Sequence, residues 1–474
     1  MVLMSIQLFI VCAYIVLLFA ISLFAKKRAD KGASEYLFAG RKLGPGLIAV
    51  NITGLAVGAA STVGVAENAF SVGLAAGWYN AAWSAGALIM GLVAAGKYRA
   101  LKATTIPDLF ERYYDTKGRV VSAIGLLIIM LVITSLQYLA GGAILSALLP
   151  DIFSFKGGMI TSAVVFIGIT LIGGLWSSGL SNIVSVILIY VGVLYSTYAA
   201  VDQVGGLAVL VSKLPASKEW LNPFSGLPLA IVIGWFVVMI TQAITAQGPV
   251  QIACSAKDAK AAKKGFIWGA ALIFPIGFLC ALLGIIARVT FPNITATMAL
   301  PSVVMSLDPF ASGITLAAMW AADISTACTI LLGAGTLFSQ DIYKRFINPG
   351  ISGEKFLFVN RVTIFVCGIG TLWLAFNAVG ILKTMVAGLS LTTALTVVFL
   401  FTIFMPSVCR KSSAFYTTLA GLIAIVVWQF VPALHVLQHV IYFEWLVCII
   451  VFLLVAVIDQ RPIKTPELIE EEGE

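Results

Sequence analysis

A single stripe of hydroxyl side chains runs through the apolar segment AADISTACTILLGAGTLF. On a helix with about 100° per residue, five small or hydroxyl-bearing residues fall within an arc of about 100°: Ala322, Ser325, Thr326, Thr329 and Thr336. Such hydroxyls either bond back to carbonyls of their own helix or line a site. Hard cations take oxygen ligands, so hydroxyls and a carbonyl of this segment, joined by carbonyls of a broken neighbouring helix, would form a cage for Na+.

Asp323 flanks this stripe at about 60° from Thr326. A charged side chain at the centre of a membrane-spanning helix costs at least about 2.5–3.5 kcal/mol, so it must face protein, water or an ion. Three roles are open for it: contact with a substrate ammonium, carriage of a proton, and pairing with a neighbouring helix. Glu67 is a second candidate acid, for which an exposed gate residue is the alternative.

The composition is that of a membrane protein. Of 474 residues, 60% are hydrophobic and 11% are charged, and the mean hydropathy is +1.04, whereas soluble domains carry about 25% charged residues. No apolar run alternates with a period of two, so the spans are predicted to be helices. The sequence contains no Walker-type GxxxxGKS/T, no nucleophile–base pair and no metal-ligand spacing of cysteines, which argues against an ATP-driven pump and against an enzyme.

Thirteen apolar spans are predicted within one transmembrane domain. They cover about 3–25, 44–70, 74–96, 120–149, 158–178, 182–201, 226–250, 264–289, 304–338, 357–378, 382–406, 413–431 and 437–458. Loops on one side hold 24 of the 29 Lys and Arg residues. The positive-inside rule therefore predicts an outer amino terminus and a cytoplasmic carboxyl terminus in the inner cell membrane. The net charge of +8 follows from these loops and requires no nucleic-acid partner.

Two spans carry residues that interrupt a helix. The second contains Gly54, Gly58 and Gly64, and the seventh contains Gln247-Gly248-Pro249, where proline lacks an N–H and clashes with the preceding turn. After the first span, these two open successive groups of five spans. That spacing is typical of an inverted repeat in which broken helices carry the transport site; the alternative is ordinary glycine-mediated helix packing.

Three motifs together resemble the sodium/solute symporter family, which includes bacterial proline, sialic acid and galactose symporters. They are YLFAGRKLG at 36–44, QxxxQxACSAKDAKAAKKG at 247–265 and STxxxxLLGAGTLFSQDIYK within 325–344. The resemblance covers nearly the whole chain and implies an all-α LeuT-type fold. Its parts would be an extra helix (3–25), two five-helix repeats (44–201 and 226–406), two further helices (413–458) and a tail (459–474).

The resemblance also implies a sodium site. Its ligands would be the carbonyls of Gly54, Val57 and Ala322 and the hydroxyls of Ser325 and Thr326. The last three belong to the stripe described above. An alternative register of the broken helix, which requires an insertion, would use Ala49 and Ile52 instead.

Two departures from the family bear on stoichiometry. Some members bind a second sodium through an aspartate and a further hydroxyl, and the matching positions here are Asn182 and Cys328. The expectation is therefore one Na+ per cycle.

The substrate positions that the resemblance implies are small and uncharged. Those carried over from the family are Ala56, Gly58, Ser61 and Asn80, and those suggested by spacing are Gln137, Thr245 and Gln247. For Asn80 and Gln137 the alternative is a hydrogen bond between helices. Without a mid-membrane arginine, and without an aromatic pair to hold a sugar ring, the site favours an amino acid or a monocarboxylate, whose carboxylate the end of a broken helix could hold.

The function implied is secondary active uptake, in which Na+ flow drives a small organic solute inward by alternating access. Besides that solute and the lipid bilayer, no obligatory protein partner is evident. Three alternatives stay open: a proton-coupled symporter that uses Asp323, a symporter of a sugar or another polar solute, and a sensor with a transporter fold.

Overall fold

The computed structural model describes residues 2–101, 104–216, 218–376 and 388–463, most of which are helical. Helices satisfy every backbone polar group within one segment, as a lipid environment requires. In the described part, seven helices are long and apolar enough to cross a membrane, or up to nine if each of two bent pairs counts as one span. Three shorter apolar helices accompany them. The membrane-protein class is thus supported, and the count of thirteen spans stays a prediction.

The helices follow one another along the chain with short connections. The first half contains α1 (Val2–Ala29), α2 (Ala33–Phe38), α3 (Pro45–Ala56), α4 (Val65–Val72), α5 (Trp78–Ile89), α6 (Ala95–Ala100), α7 (Ile106–Tyr113), α8 (Thr116–Leu148), α9 (Phe155–Val204) and α10 (Leu207–Lys213). The second half contains α11 (Leu229–Thr245), α12 (Gln247–Cys254), α13 (Ala259–Thr290), α14 (Ala299–Met305), α15 (Pro309–Leu337), α16 (Gly353–Ala375), α17 (Thr393–Phe404), α18 (Ser413–Phe430) and α19 (Val440–Ile458). Most of the predicted tail, residues 464–474, and part of the predicted span 382–406 lie outside the described residues.

The chain bends at the two places where the sequence predicts interrupted helices. The break after α3 turns the chain by 60°, and the break between α11 and α12 turns it by 47°. At the first, Val57 leaves helical geometry (φ −93°, ψ 75°). At the second, Ala246 is extended (ψ 141°). Pro249 is the third residue of α12, so its missing N–H falls in the first turn, where no helical partner exists.

One predicted boundary is misplaced. The separate spans 158–178 and 182–201 are both part of α9, whose only non-helical residue is Gly174 (φ 52°, ψ −138°). The turn therefore lies earlier than residues 179–181. A Cβ at Gly174 would approach the carbonyl oxygen of Tyr36 to 2.4 Å, so both the positive φ and the close contact require glycine.

α15 is the most buried of the long helices. In its most apolar stretch 94% of the residues are buried, compared with 28% in α1 and 28% in α19. It packs against α1, α8 and α9, among others. Because protein surrounds it on all sides, its hydroxyls and its aspartate are kept away from lipid. The polar stripe of the sequence is thus on an interior helix.

Four charged residues form an ion-pair network at the carboxyl end of α15. Arg119 contacts Asp341 at 2.7 Å and Glu111 at 2.5 Å, and Arg345 contacts Glu111 at 2.8 Å. The hydroxyl of Thr105 also donates to Asp341. Hydrogen bonds from Arg345 and Arg119 lower the pKa of Glu111 to about 2, so this carboxylate stays ionised throughout the physiological range. The network joins α7 and α8 to the end of α15.

Arg119→Ala is expected to destabilise the protein strongly. It leaves Asp341, which is 0% exposed, without its positive charge, and breaking a buried pair in this way costs about 3–5 kcal/mol. Arg112→Ala is the matched control, because Arg112 pairs with Asp108 at the surface, where such pairs contribute about 0.2–1 kcal/mol. Thermal denaturation of the purified protein should show a much larger fall in Tm for Arg119→Ala. Equal falls would contradict the assignment.

Candidate cation and solute site

The two hydroxyls picked out on α15 meet the broken end of α3. Ser325 donates to the carbonyl of Gly54 at 2.7 Å and to that of Ala322 at 2.8 Å. Thr326 donates to the carbonyl of Gly54 at 2.9 Å and to that of Leu55 at 3.2 Å. All five residues are buried. Two helices distant in sequence therefore bring hydroxyl and carbonyl oxygens to one point.

The break in α3 makes these carbonyls available. The last helical bond runs from the N–H of Val57 to the carbonyl of Thr53 at 2.8 Å. Beyond it, the N–H of Ala59 turns away and donates to the side-chain oxygen of Gln137 at 2.9 Å. The carbonyls just before the break are thus free to accept from side chains or to coordinate a cation. The oxygen set is neutral and hard, which suits Na+.

The structure brings together four of the five residues predicted to bind sodium and places one further carbonyl beside them; that they bind Na+ stays a prediction. Gly54, Ala322, Ser325 and Thr326 are together, as the register with Gly54 requires. Leu55 supplies a carbonyl that sequence reasoning missed. The Val57 carbonyl receives no described hydrogen bond from either hydroxyl, so its role stays a prediction. In the alternative register, the Ala49 carbonyl instead accepts from Thr53 within α3.

Neutral side chains occupy the positions, Asn182 and Cys328, that the family resemblance matches to a second sodium site. The amide of Asn182 donates to the side-chain oxygen of Asn51 at 3.0 Å, and its side chain lies against Gly54. The hydroxyls of Ser178 and Thr329 are 2.9 Å apart. The thiol of Cys328 points to the carbonyl of Phe166. These contacts join α9 to α3 and α15 without any carboxylate.

A cavity adjoins the cation site between the broken α11–α12 pair, α8 and α15. Its volume is about 30 Å³, room for a water molecule. Its wall includes Trp83, Gln242, Gln247, Thr326 and Ile330. Both side-chain polar atoms of Gln247 and the amide nitrogen of Gln242 lack a hydrogen-bond partner among the described residues. Buried amides without partners are costly, so they mark places where a polar ligand or water would bind.

The other predicted substrate residues are buried but do not line this cavity. The side-chain oxygen of Gln137 accepts from the N–H of Ala59, just after the break in α3. The hydroxyl of Thr245 lies 2.6 Å from that of Thr396 on α17. Ser61 donates to the carbonyl of Ala56. Asn80 packs against Gly277 of α13, and neither of its amide atoms has a described partner. Their roles in substrate binding stay predictions.

Gln242 and Trp83 were missed in the sequence. Gln242 could have been found by its polarity, because it is one of two glutamines that flank the break in a very apolar segment. Trp83 carried no comparable signal, since an aromatic residue in an apolar helix is ordinary.

Asp323 is 0% exposed, and neither carboxylate oxygen has a hydrogen-bond partner in the described part of the chain. It lies beside the oxygen cluster and shares no described contact with it. The structure thus leaves this residue unpaired inside the protein.

Gly58→Ala is expected to abolish the cation site. A Cβ there would come within 2.4 Å of the Thr326 hydroxyl and 2.8 Å of the Gln137 oxygen, so it would push the two helices apart. Gly46→Ala is the control near the start of α3, where a Cβ meets no atom within 4 Å. The difference in Tm between NaCl and choline chloride should vanish in Gly58→Ala and persist in Gly46→Ala. Persistence in both would refute the site.

Comparisons with known proteins identify the family of the chain. The sequence profile of the sodium:solute symporter family matches residues 36–421. The sodium/glucose cotransporter of Vibrio parahaemolyticus is 26% identical over 76% of this chain and 73% of its own length. The sodium/pantothenate symporter of Escherichia coli (strain K12) is 27% identical over 70% of this chain and 71% of its own length. A sodium/proline symporter of Staphylococcus aureus (strain JH9) is 24% identical over 77% of this chain and 74% of its own length.

Solved structures establish the fold. A Na+-coupled sialic acid symporter in a substrate-bound, outward-open state superposes with a TM-score of 0.81, at 18% identity, over 97% of this chain and 99% of that one. Mhp1, a nucleobase-cation-symport-1 family transporter, superposes with a TM-score of 0.62, at 14% identity, over 89% of this chain and 93% of that one. The family profile covers most of the sequence, and the fold neighbours are cation-coupled transporters; the chain belongs to the sodium:solute symporter family.

Proposed function

We propose that this protein takes up a small organic solute together with one Na+ per cycle, by alternating access. The observation that carries the proposal is the convergence of the Ser325 and Thr326 hydroxyls on the freed Gly54 carbonyl. A cation at this point would replace two hydrogen bonds with coordination by the same oxygens. It would thereby fasten the broken helix α3 to the buried helix α15.

Coupling to the solute follows from one shared residue. Thr326 belongs to the oxygen cluster and also lines the cavity. Na+ binding would fix its hydroxyl and the adjoining break in α3, which orders one wall of the cavity before the solute enters. By linkage, the solute must then raise the affinity for Na+ by the same factor.

The proposed architecture keeps the two repeats, 44–201 and 226–406, with the helix 3–25 before them and the helices 413–458 after them. The matched bends at the start of each repeat support it. The basic loops support thirteen spans with the amino terminus outside. Coordination by one Na+ is favoured because Asn182 and Cys328 supply no charge for a second ion.

The solute is proposed to be small, and an amino acid or a monocarboxylate fits the uncharged wall of the cavity. The relatives are named for glucose, pantothenate and proline, so family membership alone does not choose among these classes. Trp83 in the cavity wall favours a sugar as the second candidate, because an indole face can pack on a sugar ring.

Thr326→Ala is expected to weaken Na+ binding by about tenfold or more, since it removes one oxygen that would contact a charge. Thr363→Ala is the matched control: its hydroxyl bonds back to Val359 of α16. Titration of the Tm shift with NaCl at constant ionic strength gives the apparent affinity. Unchanged sodium affinity in Thr326→Ala would exclude the assigned oxygens.

Uptake into proteoliposomes should require an inward Na+ gradient and stop in choline medium. A proton gradient alone should not drive it if Na+ is the coupling ion. Because the pKa of Glu111 is about 2, that carboxylate does not change charge between pH 5 and 8, so it contributes no pH dependence there. Uptake in choline that rises with an inward proton gradient would instead support coupling through Asp323.

A further inference from the structure

Asp323 has no cationic partner among the residues that the structure describes. The helices packed against α15 include α1, α3, α8, α9 and α16, and their basic residues lie near the helix ends. There, Arg119 pairs with Asp341 and Arg361 pairs with Asp30. Asp323 is 14 residues from the start of α15, about 21 Å along the axis. No basic side chain of the described residues is therefore placed to meet its carboxylate, which leaves room for a cationic group of a ligand or for a proton.

The position of Asp323 connects it to the cavity. It precedes Thr326 by three residues and Ile330 by seven, so the three residues share one face of α15. Thr326 and Ile330 line the cavity. Residues three apart on a helix have Cβ atoms about 5–6 Å apart. Asp323 does not itself line the cavity, but it lies one helical turn before Thr326 on the face of α15 that does.

The same geometry separates Asp323 from the sodium ligands. The hydroxyl of Ser325 lies about 160° around the helix from Asp323, and Ala322 lies on the far side of Thr326 from it. Those residues face α3, where Gly54 is. Asp323 is thus placed to meet a group in the cavity rather than to coordinate the proposed ion.

We propose that the solute carries a protonated amine and that Asp323 binds this amine, with the rest of the solute extending past Thr326 into the cavity. This inference rests on the proposed function and deepens it. A buried carboxylate is stabilised by a paired, hydrogen-bonded cation and penalised without one. An ammonium group supplies both the charge and the donors.

Charge balance separates the solute classes. With an ionised Asp323, one Na+ makes the site neutral, and an amino acid zwitterion or an amino sugar adds no net negative charge. A monocarboxylate without an amine would place a second negative charge near Asp323 with only one cation present. Charge balance therefore disfavours monocarboxylates, whereas neutral sugars are disfavoured because they offer no cation to the unpaired Asp323 carboxylate.

The test compares matched solutes on the full-length protein purified in detergent. Tm is measured in NaCl and in choline chloride with three pairs that differ in the amine: alanine and lactate, proline and cyclopentanecarboxylate, glucosamine and glucose. We expect NaCl alone to raise Tm. In NaCl, at least one amine-bearing solute should raise Tm further, whereas its partner without the amine should have no effect even at a tenfold higher concentration.

Two variants assign this preference to Asp323. Asp323→Asn should keep the Tm shift in NaCl, which shows that the variant is folded. The concentration of the amine-bearing solute needed to raise Tm should increase more than tenfold in this variant. Glu444→Gln is the control, because Glu444 is also a fully buried acid but lies on α19 and not on the face of α15 that Thr326 and Ile330 share; it should behave as the wild type does. Asp323→Glu keeps the charge and should retain the preference.

The outcomes distinguish the two proposals. No NaCl shift in the wild type would contradict the proposed function itself. A NaCl shift with equal effects of both members of every pair, or with no solute effect at all, would overturn the amine inference and leave sodium coupling intact. An amine preference that survives in Asp323→Asn would also overturn it. If that variant does not fold, the comparison of pairs on the wild type decides.

Discussion

The contact between the α15 hydroxyls and the free carbonyls of α3 is the constraint on which the rest of the site depends. It exists only because α3 ends at Ala56 and the N–H groups beyond it take other partners, such as Gln137. An unbroken helix would use its own carbonyls and offer α15 nothing to bind. The break converts two backbone groups into ligands, and the small surface of Gly58 lets α15 come close enough to reach them.

The burial of α15 explains why this helix carries the polar groups. A hydroxyl or a carboxyl facing lipid would be costly, and α15 faces protein along almost its whole apolar stretch. The same burial holds α15 by contacts with several neighbouring helices, α3 among them. The ion-pair network at its carboxyl end fastens α15 to α7 and α8. A cation between α3 and α15 would therefore control the position of the broken helix relative to α15.

Much of the fold and of the candidate site could be predicted from sequence because the signals are local. Low charge indicates membrane helices, Gly54 to Gly64 and Pro249 indicate the breaks, and helical periodicity together with the family resemblance selects Ser325 and Thr326. The features that were missed depend on tertiary packing. Leu55 contributes a backbone oxygen, which any residue has. Gly174, where α9 is kinked, lies against the backbone of Tyr36. Helical periodicity does not show which of the glycines in this segment makes such a contact.

The distribution of charge around the site limits how it can work. The oxygen cluster is neutral, the second-sodium position holds an Asn182–Asn51 amide pair, and the cavity wall carries amides and apolar groups. Asp323 is then the fixed negative charge that the transport region offers, one turn from the residue shared by the cation site and the cavity. Such an arrangement ties the net charge of the bound solute to the number of ions carried: with one Na+, the loaded site is neutral only if the solute adds no net charge. Because a buried site of low dielectric penalises any imbalance steeply, Na+ bound near an ionised Asp323 would favour solutes that add no net charge.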